Sequence, residues 1–267
     1  MTIPDQVRTR KRHPLRRSVA SVLMLASLRA MEAQPAQARA ARGNEERAAN
    51  RLTTALQEYQ AAILADSTSY DALWKAAEVT VSLAEFDSTA HRRDSLFALG
   101  VAYGRRAVAV NPKDAEGHFQ LARALGRLAL TRDVRERAKF AVDVREHALA
   151  ALSSNPNHAG ALHVLGLWNQ NVMQLGVLQR LAAKTLLGAR VFGEASWDEA
   201  QRCLERSVAL EPERIAHHLD LGRIYADRKR YQEARDQFKW VLAAPVVDYN
   251  DVHYKHEAES ALAHLRQ

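Results

Sequence analysis

The chain has 267 residues, 47% of them apolar, with 11 glycines, 7 prolines and a single cysteine. That is enough for one sizeable core or a short repeat array, favours helix over sheet, and excludes an intramolecular disulfide framework. The net charge of +7 is concentrated: residues 1–40 hold eight Lys and Arg against two acids, so the rest is almost neutral and no basic stripe suited to nucleic acid is evident.

In chain order, the first element is the leader. Residues 1–33 read as a signal peptide: a basic segment ends at Arg17, and residues 18–28 are an uncharged, mostly apolar run of 11, too short to span a membrane. Cleavage could follow Ala30, Ala33 or Ala36, with Ala33 favoured. No cysteine follows the apolar run, which excludes lipid attachment there. This implies an exported, periplasmic or secreted protein; an Arg-rich, acid-poor leader also fits an organelle transit peptide. Residues 34–44, QPAQARAARGN, read as a flexible linker, and 45–267 as one repeat domain.

Four breaks punctuate that domain: LADS (64–67), VNP (110–112), SNP (154–156) and LEP (210–212). The residue before proline is pushed out of the α region, so each X-Pro marks a helix end. Ten residues beyond each break stand Ala76-Ala77, Leu121-Ala122, Leu165-Gly166 and Leu221-Gly222, the second residue always small. Twelve, eight and five residues before each break stand Ala55, Tyr59, Ala62; Gly100, Gly104, Ala107; Val144, Ala148, Ala151; and Ala200, Leu204, Ser207. Ala234, Phe238 and Val241 repeat that spacing. Each triplet lies on one helical face. The expected architecture is a leading helix over about 45–65, four helical pairs, and a closing helix in VHYKHEAESALAHLRQ. Cys203 is expected as a small core residue.

This pattern resembles the tetratricopeptide repeat, W-x2-L-G-x2-Y followed by A-x3-F and P. Leu221, Gly222, Tyr225, Ala234 and Phe238 match it, with His218 at the Trp position. The breaks are 45, 44 and 56 residues apart, against about 34 in that repeat, so inserts separate the helices of a pair. The resemblance implies an all-α, right-handed helical solenoid. Over roughly residues 95–265 the chain is further similar to the regulator of microtubule dynamics family. Leu165-Gly166 with Trp168, the Leu-Ala-Ala-Lys at 181–184 and the Ala-Pro-Val at 244–246 carry that match. It implies protein binding, with microtubules as partner in some members; an exported chain would not meet them.

In such solenoids the first helix of each pair lines the concave face. The candidate partner-binding residues are Trp74, Glu78, Phe119, Arg123, Arg127, His163, Asn171 and Arg223, with Asp71, Glu116, Leu167, Gln170, Leu219 and Asp227 beside them. Arg forks suit carboxylates, including a peptide C-terminus. The apolar insert at about 172–195 brings Val177, Leu178, Leu181, Leu186 and Leu187 near one face. It reads as an extra packed helix, or as a contact for self-association or a membrane surface, with Arg180, Lys184 and Arg190 serving the last.

No Gly-rich phosphate loop, G-x-S-x-G or H-E-x-x-H occurs. His253 and His256 fall on adjacent turns without obvious further metal ligands. His118 and His163 could meet across the groove. The expected function is a non-catalytic scaffold holding a protein or peptide partner in its groove, with no enzyme activity, cofactor, metal or nucleic acid. The alternative is a self-associating or membrane-surface repeat protein acting through the 172–195 insert. Composition does not set the oligomeric state.

Overall fold

A computed structural model describes residues 35–176 and 190–265. Among these the chain is helical, without strands. The helices are α1 (described over residues 35–48), α2 (Leu52–Ala65), α3 (Tyr70–Glu85), α4 (Ala90–Val110), α5 (Ala115–Ala129), α6 (Val134–Ser154), α7 (Ala159–Gln174), α8 (Trp197–Leu210), α9 (Ile215–Asp227), α10 (Tyr231–Ala243) and α11 (Asp251–His264). Consecutive helices pack as hairpins stacked in series, giving an all-α tetratricopeptide-like solenoid.

The helix ends fall at the sequence breaks. Asn111, Asn155 and Glu211, each before a proline, have φ of −136°, −137° and −130°, outside the helical region. Asp66 ends α2 without a proline. Its carboxylate accepts from the Thr68 backbone N–H at 2.9 Å, as Asn155 Oδ1 accepts from Asn157 N at 3.0 Å, so a side-chain-closed turn replaces the imino acid. Asp114, Asp133 and Ser196 cap α5, α6 and α8 by accepting first-turn N–H groups. His118 and His218, six residues after Pro112 and Pro212, each place Nε2 about 3 Å from that proline's carbonyl, at 3.0 and 2.9 Å. His218, at the position of the repeat's usual Trp, also stacks on Trp240 at 3.6 Å.

The face triplets are buried in every unit. Small residues on one helix meet large ones on the next. A Cβ at Gly166 would lie 2.7 Å from Leu204 Cδ2, at Gly222 2.6 Å from Phe238 Cε1, and at Gly104 2.9 Å from the Cα of Leu121. Three successive apolar clusters result. The first joins α1 to α4, the second α3 to α8, and the third α8 to α11. Cys203 is in the second, and burial followed by its hydrogen bond to Glu199 pushes the thiol up to about 12, which keeps it protonated.

Two boundaries differ from expectation. Residues 35–44 are helix rather than linker. Ala36, Ala40 and Gly43 are buried, and Gly43 lies flat against the Tyr59 ring. An Ala- and Gly-rich stretch looks flexible by composition, yet small residues are what a close helix crossing needs. The leading helix expected over 45–65 is two helices, because Asn50 adopts φ 56° and reverses the chain between α1 and α2. Among the described residues there are thus five hairpins and a closing helix. The signal-peptide reading of residues 1–33 and the apolar face from Val177 to Leu187 lie outside the described residues. The insert's far end forms a 3-10 turn at Arg190–Gly193, whose Phe192 is buried against Trp168.

Gly104 and Gly126 give opposite expectations. Gly104→Ala forces α4 off the α5 backbone and lowers unfolding free energy by about 1–3 kcal/mol. Gly126→Ala, whose new methyl meets only Val144 Cγ2 at 3.9 Å, raises it by roughly 0.5–1 kcal/mol through helix propensity. Urea unfolding of both variants measures the pair.

Candidate partner-binding groove

The first helices α3, α5 and α7 turn one side to a shared cavity of about 1070 Å³. Trp74, Glu78, Phe119, Arg123, Arg127, His163 and Asn171 all line it, so seven of the eight candidates meet in one place. Arg223 does not. It pairs with Asp220 at 2.7 Å and with Glu257 at 2.9 Å, because α11 lies over the inner side of α9. Leu219 is likewise buried in the third cluster rather than facing the groove. Apolar lining comes from Trp74, Phe119, Leu167 and Trp168, the last anchored by its Nε1–H donating to Ala141 O at 2.7 Å.

The arginines are not free forks. Arg127 pairs with Glu85, whose side chain is only 4% exposed, and Arg123 lies 3.5 Å from the same carboxylate while donating to Ser82 Oγ at 3.2 Å. Arg47 donates to both Glu78 oxygens at 2.7 Å. Burial works against the charge on Arg127, but Glu85 together with Tyr254, Asp220 and Glu257 outweighs it and holds the guanidinium's pKa above its ordinary value. A buried cation of this kind is retained because removing its partner is far costlier than the pair is worth.

The C-terminal segment supplies the remaining wall, which the repeat pattern gave no sign of. Val247, Asp248, Tyr249, Asn250, Asp251 and Tyr254 line the cavity. They reach back to the first repeats. Asn50 Nδ2 donates to Val247 O at 2.7 Å, Asn250 Nδ2 to Ser82 O at 3.0 Å, and Tyr254 O–H to Glu85 at 2.9 Å. Phe86 stacks on His253 at 4.4 Å. The solenoid thereby closes on itself.

The histidines are structural partners. His118 and His163 do not meet. His118 Nδ1 lies 2.9 Å from His147 Nδ1, and His163 Nε2 donates to Asp220 at 2.8 Å. Burial disfavours a charge on Asp220, but the hydrogen bond and charge of His163, then Arg223 and Arg127, hold its carboxyl well below the usual range. His217 is pulled down to about 2 by burial, with His163, its ring tilted against it at 4.6 Å, adding to it. Its Nδ1 lies 3.0 Å from Ser207 Oγ, and that hydroxyl donates to Ala159 O at 2.9 Å. His158, which spacing did not single out, caps α7 and touches Glu116. Among the described residues no group of three or more His, Cys, Asp or Glu is placed to hold a metal ion, and no helix is long and apolar enough to cross a membrane.

The buried histidines set a pH response. His217 and His147 both have folded values below the ordinary 6.5, so the unfolded chain takes up protons that the folded chain refuses. Their contribution is full above about pH 6.5 and is lost on acidification, whereas that of Asp220 is lost only below about pH 4. Between pH 6.5 and 5 His217 alone costs roughly 2 kcal/mol. Urea unfolding across that range is expected to show this fall, and His217→Gln to flatten it.

A family model described as "Regulator of microtubule dynamics protein 1-3" matches residues 34–266. Regulator of microtubule dynamics protein 1 of Bos taurus is 23% identical over 162 residues, 60% of this chain and 50% of that protein. Regulator of microtubule dynamics protein 3 of Bos taurus is 23% identical over 196 residues, 73% of this chain and 41% of that protein. The chain thus spans about half the length of the relatives it matches, or less. Among solved structures, a thermophilic TPR protein of Thermus thermophilus superposes with a TM-score of 0.60 at 22% identity, over 85% of this chain and 99% of that one. That likeness supports the fold alone. The relatives overturn the expectation of an exported, periplasmic or secreted protein: they are eukaryotic proteins named for microtubule dynamics, and microtubules are inside the cell. A basic start followed by a short apolar run is not specific to export.

Proposed function

The chain belongs to the regulator of microtubule dynamics protein 1–3 family, and on that footing we propose that it is a non-catalytic interaction scaffold in microtubule regulation, holding a protein segment in its inner groove. The observation that carries this reading is the convergence of Trp74, Phe119, Leu167 and Trp168 with Arg123 and Arg127 on one cavity of about 1070 Å³. Aromatic anchors beside arginines in a concave site are the composition of binding hot spots. An entering carboxylate would compete with Glu85 for the Arg123 and Arg127 guanidinium groups.

The groups that could do chemistry are otherwise engaged. The Cys203 thiol is buried and protonated, the Ser207 hydroxyl donates to a backbone carbonyl, and His163 is held by Asp220. Among these described groups, none pairs a free nucleophile with a base that faces the cavity.

Co-sedimentation with polymerised tubulin tests the proposal. Wild type is expected in the pellet. Leu167→Arg, which puts a charge on the apolar wall at a half-buried position, is expected to weaken binding on the order of tenfold or more while leaving helicity and melting intact. Equal pelleting of both proteins argues against the groove, and a wild type left wholly in the supernatant argues against the microtubule role.

A further inference from the structure

The closed ring has one joint unlike the others. Each helix is held to its chain neighbours by an apolar cluster, but among the described residues no cluster contains residues of both α3 or α5 and α11. The contact across that joint is polar and aromatic: Tyr254 on Glu85, Asn250 on the Ser82 carbonyl, Asn50 on the Val247 carbonyl, and Phe86 against the rings of His253 and Tyr254. Apolar contacts lose their whole driving force when they part, whereas these hydrogen bonds exchange for bonds to water at little net cost. Asn250 Oδ1 also has no hydrogen-bond donor among the described residues, which weakens the closed joint further.

The joint also lies where the inside meets the outside. A cleft of about 620 Å³ opens beside it, lined by Glu85, Asp94 and Phe97, and Arg127 and Leu130 line both this cleft and the inner cavity. The Arg127–Glu85 pair therefore stands as a wall between them.

We propose that the α3–α11 seam is the entrance to the inner cavity, latched by Glu85 and opened when the C-terminal block swings away from α3. This rests on the groove reading for what enters, but the opening itself is a property of the chain alone. The third apolar cluster holds α8 to α11 together, so α11 moves with its neighbours rather than unfolding. Opening the seam takes the Tyr254 hydroxyl from Glu85, while the pairs of Glu85 with Arg123 and Arg127 lie within the α3–α5 half and stay with it.

Hydrogen exchange on the full chain without partner tests the latch. Tyr254→Phe and Asn250→Ala are each expected to raise exchange in residues 79–86 and 245–257 by about fivefold, the equivalent of one lost hydrogen bond, with α6 and α10 unchanged. Seam amides that exchange only at the rate of the α5 core in wild type and both variants, or acceleration of all helices alike, overturn the proposal. A Phe86→Cys/His253→Cys protein, oxidised to lock the seam, is expected to lose tubulin pelleting that dithiothreitol restores. Equal pelleting in both redox states overturns the gate and leaves the groove reading standing. A wild type that does not pellet counts against that reading alone, and the exchange data still decide the gate.

Discussion

The structure depends on close approach between a small residue on one helix and a large one on its neighbour. Gly104 lies against the backbone of Leu121, Gly166 against Leu204 and Gly222 against Phe238. A Cβ would not fit at any of these crossings without movement. Because a small buried residue recurs at one offset on the first helix of successive units, at Ala77, Ala122, Gly166 and Gly222, successive hairpins stack with a similar displacement, and a repeated displacement accumulates as superhelical curvature. Here it is enough to return α11 to the neighbourhood of α3. The groove is thus a consequence of helix–helix distance, set by residues that never touch it.

Closure changes what the inner surface can be. In an open solenoid the concave arginines would be solvated and available. In the ring Arg123 and Arg127 are partly buried and need a partner, and Glu85 supplies it to both. Buried charges of this kind add little net stability over an apolar equivalent, but they are costly to leave unpaired. They make the interior a place where one carboxylate can be traded for another. Histidine plays the same part at the turns, where His118 and His218 bond proline carbonyls and His158 caps a helix. Most of the chain's buried polar chemistry is therefore spent on joining helices.

The repeat register was legible because it rests on period alone. Prolines 112, 156 and 212 and the small residues that follow at fixed offset located the inner and outer faces, and those positions are buried. Seven of the eight candidate residues reach one cavity for the same reason, since a helix face is a local property. What failed was either compositional or long-range. Residues 35–44 looked like a linker because alanine and glycine suit both a flexible tail and a tight helix crossing. Arg223 was misplaced because Glu257 on α11, 34 residues later, engages it. No spacing rule could pair Tyr254 with Glu85, 169 residues away. The leader misled because basic and apolar patches are shared by several kinds of N-terminal segment.

The central claim is that the array is a ring whose two ends meet. Spin labels at Ser88→Cys and His256→Cys, both exposed, with the native Cys203 buried, allow that distance to be measured in solution by double electron–electron resonance. A closed ring predicts a dominant, narrow population at short distance. A broad distribution centred at the longer separation of an open superhelix would contradict it, and with it the wall that the C-terminal segment gives the groove.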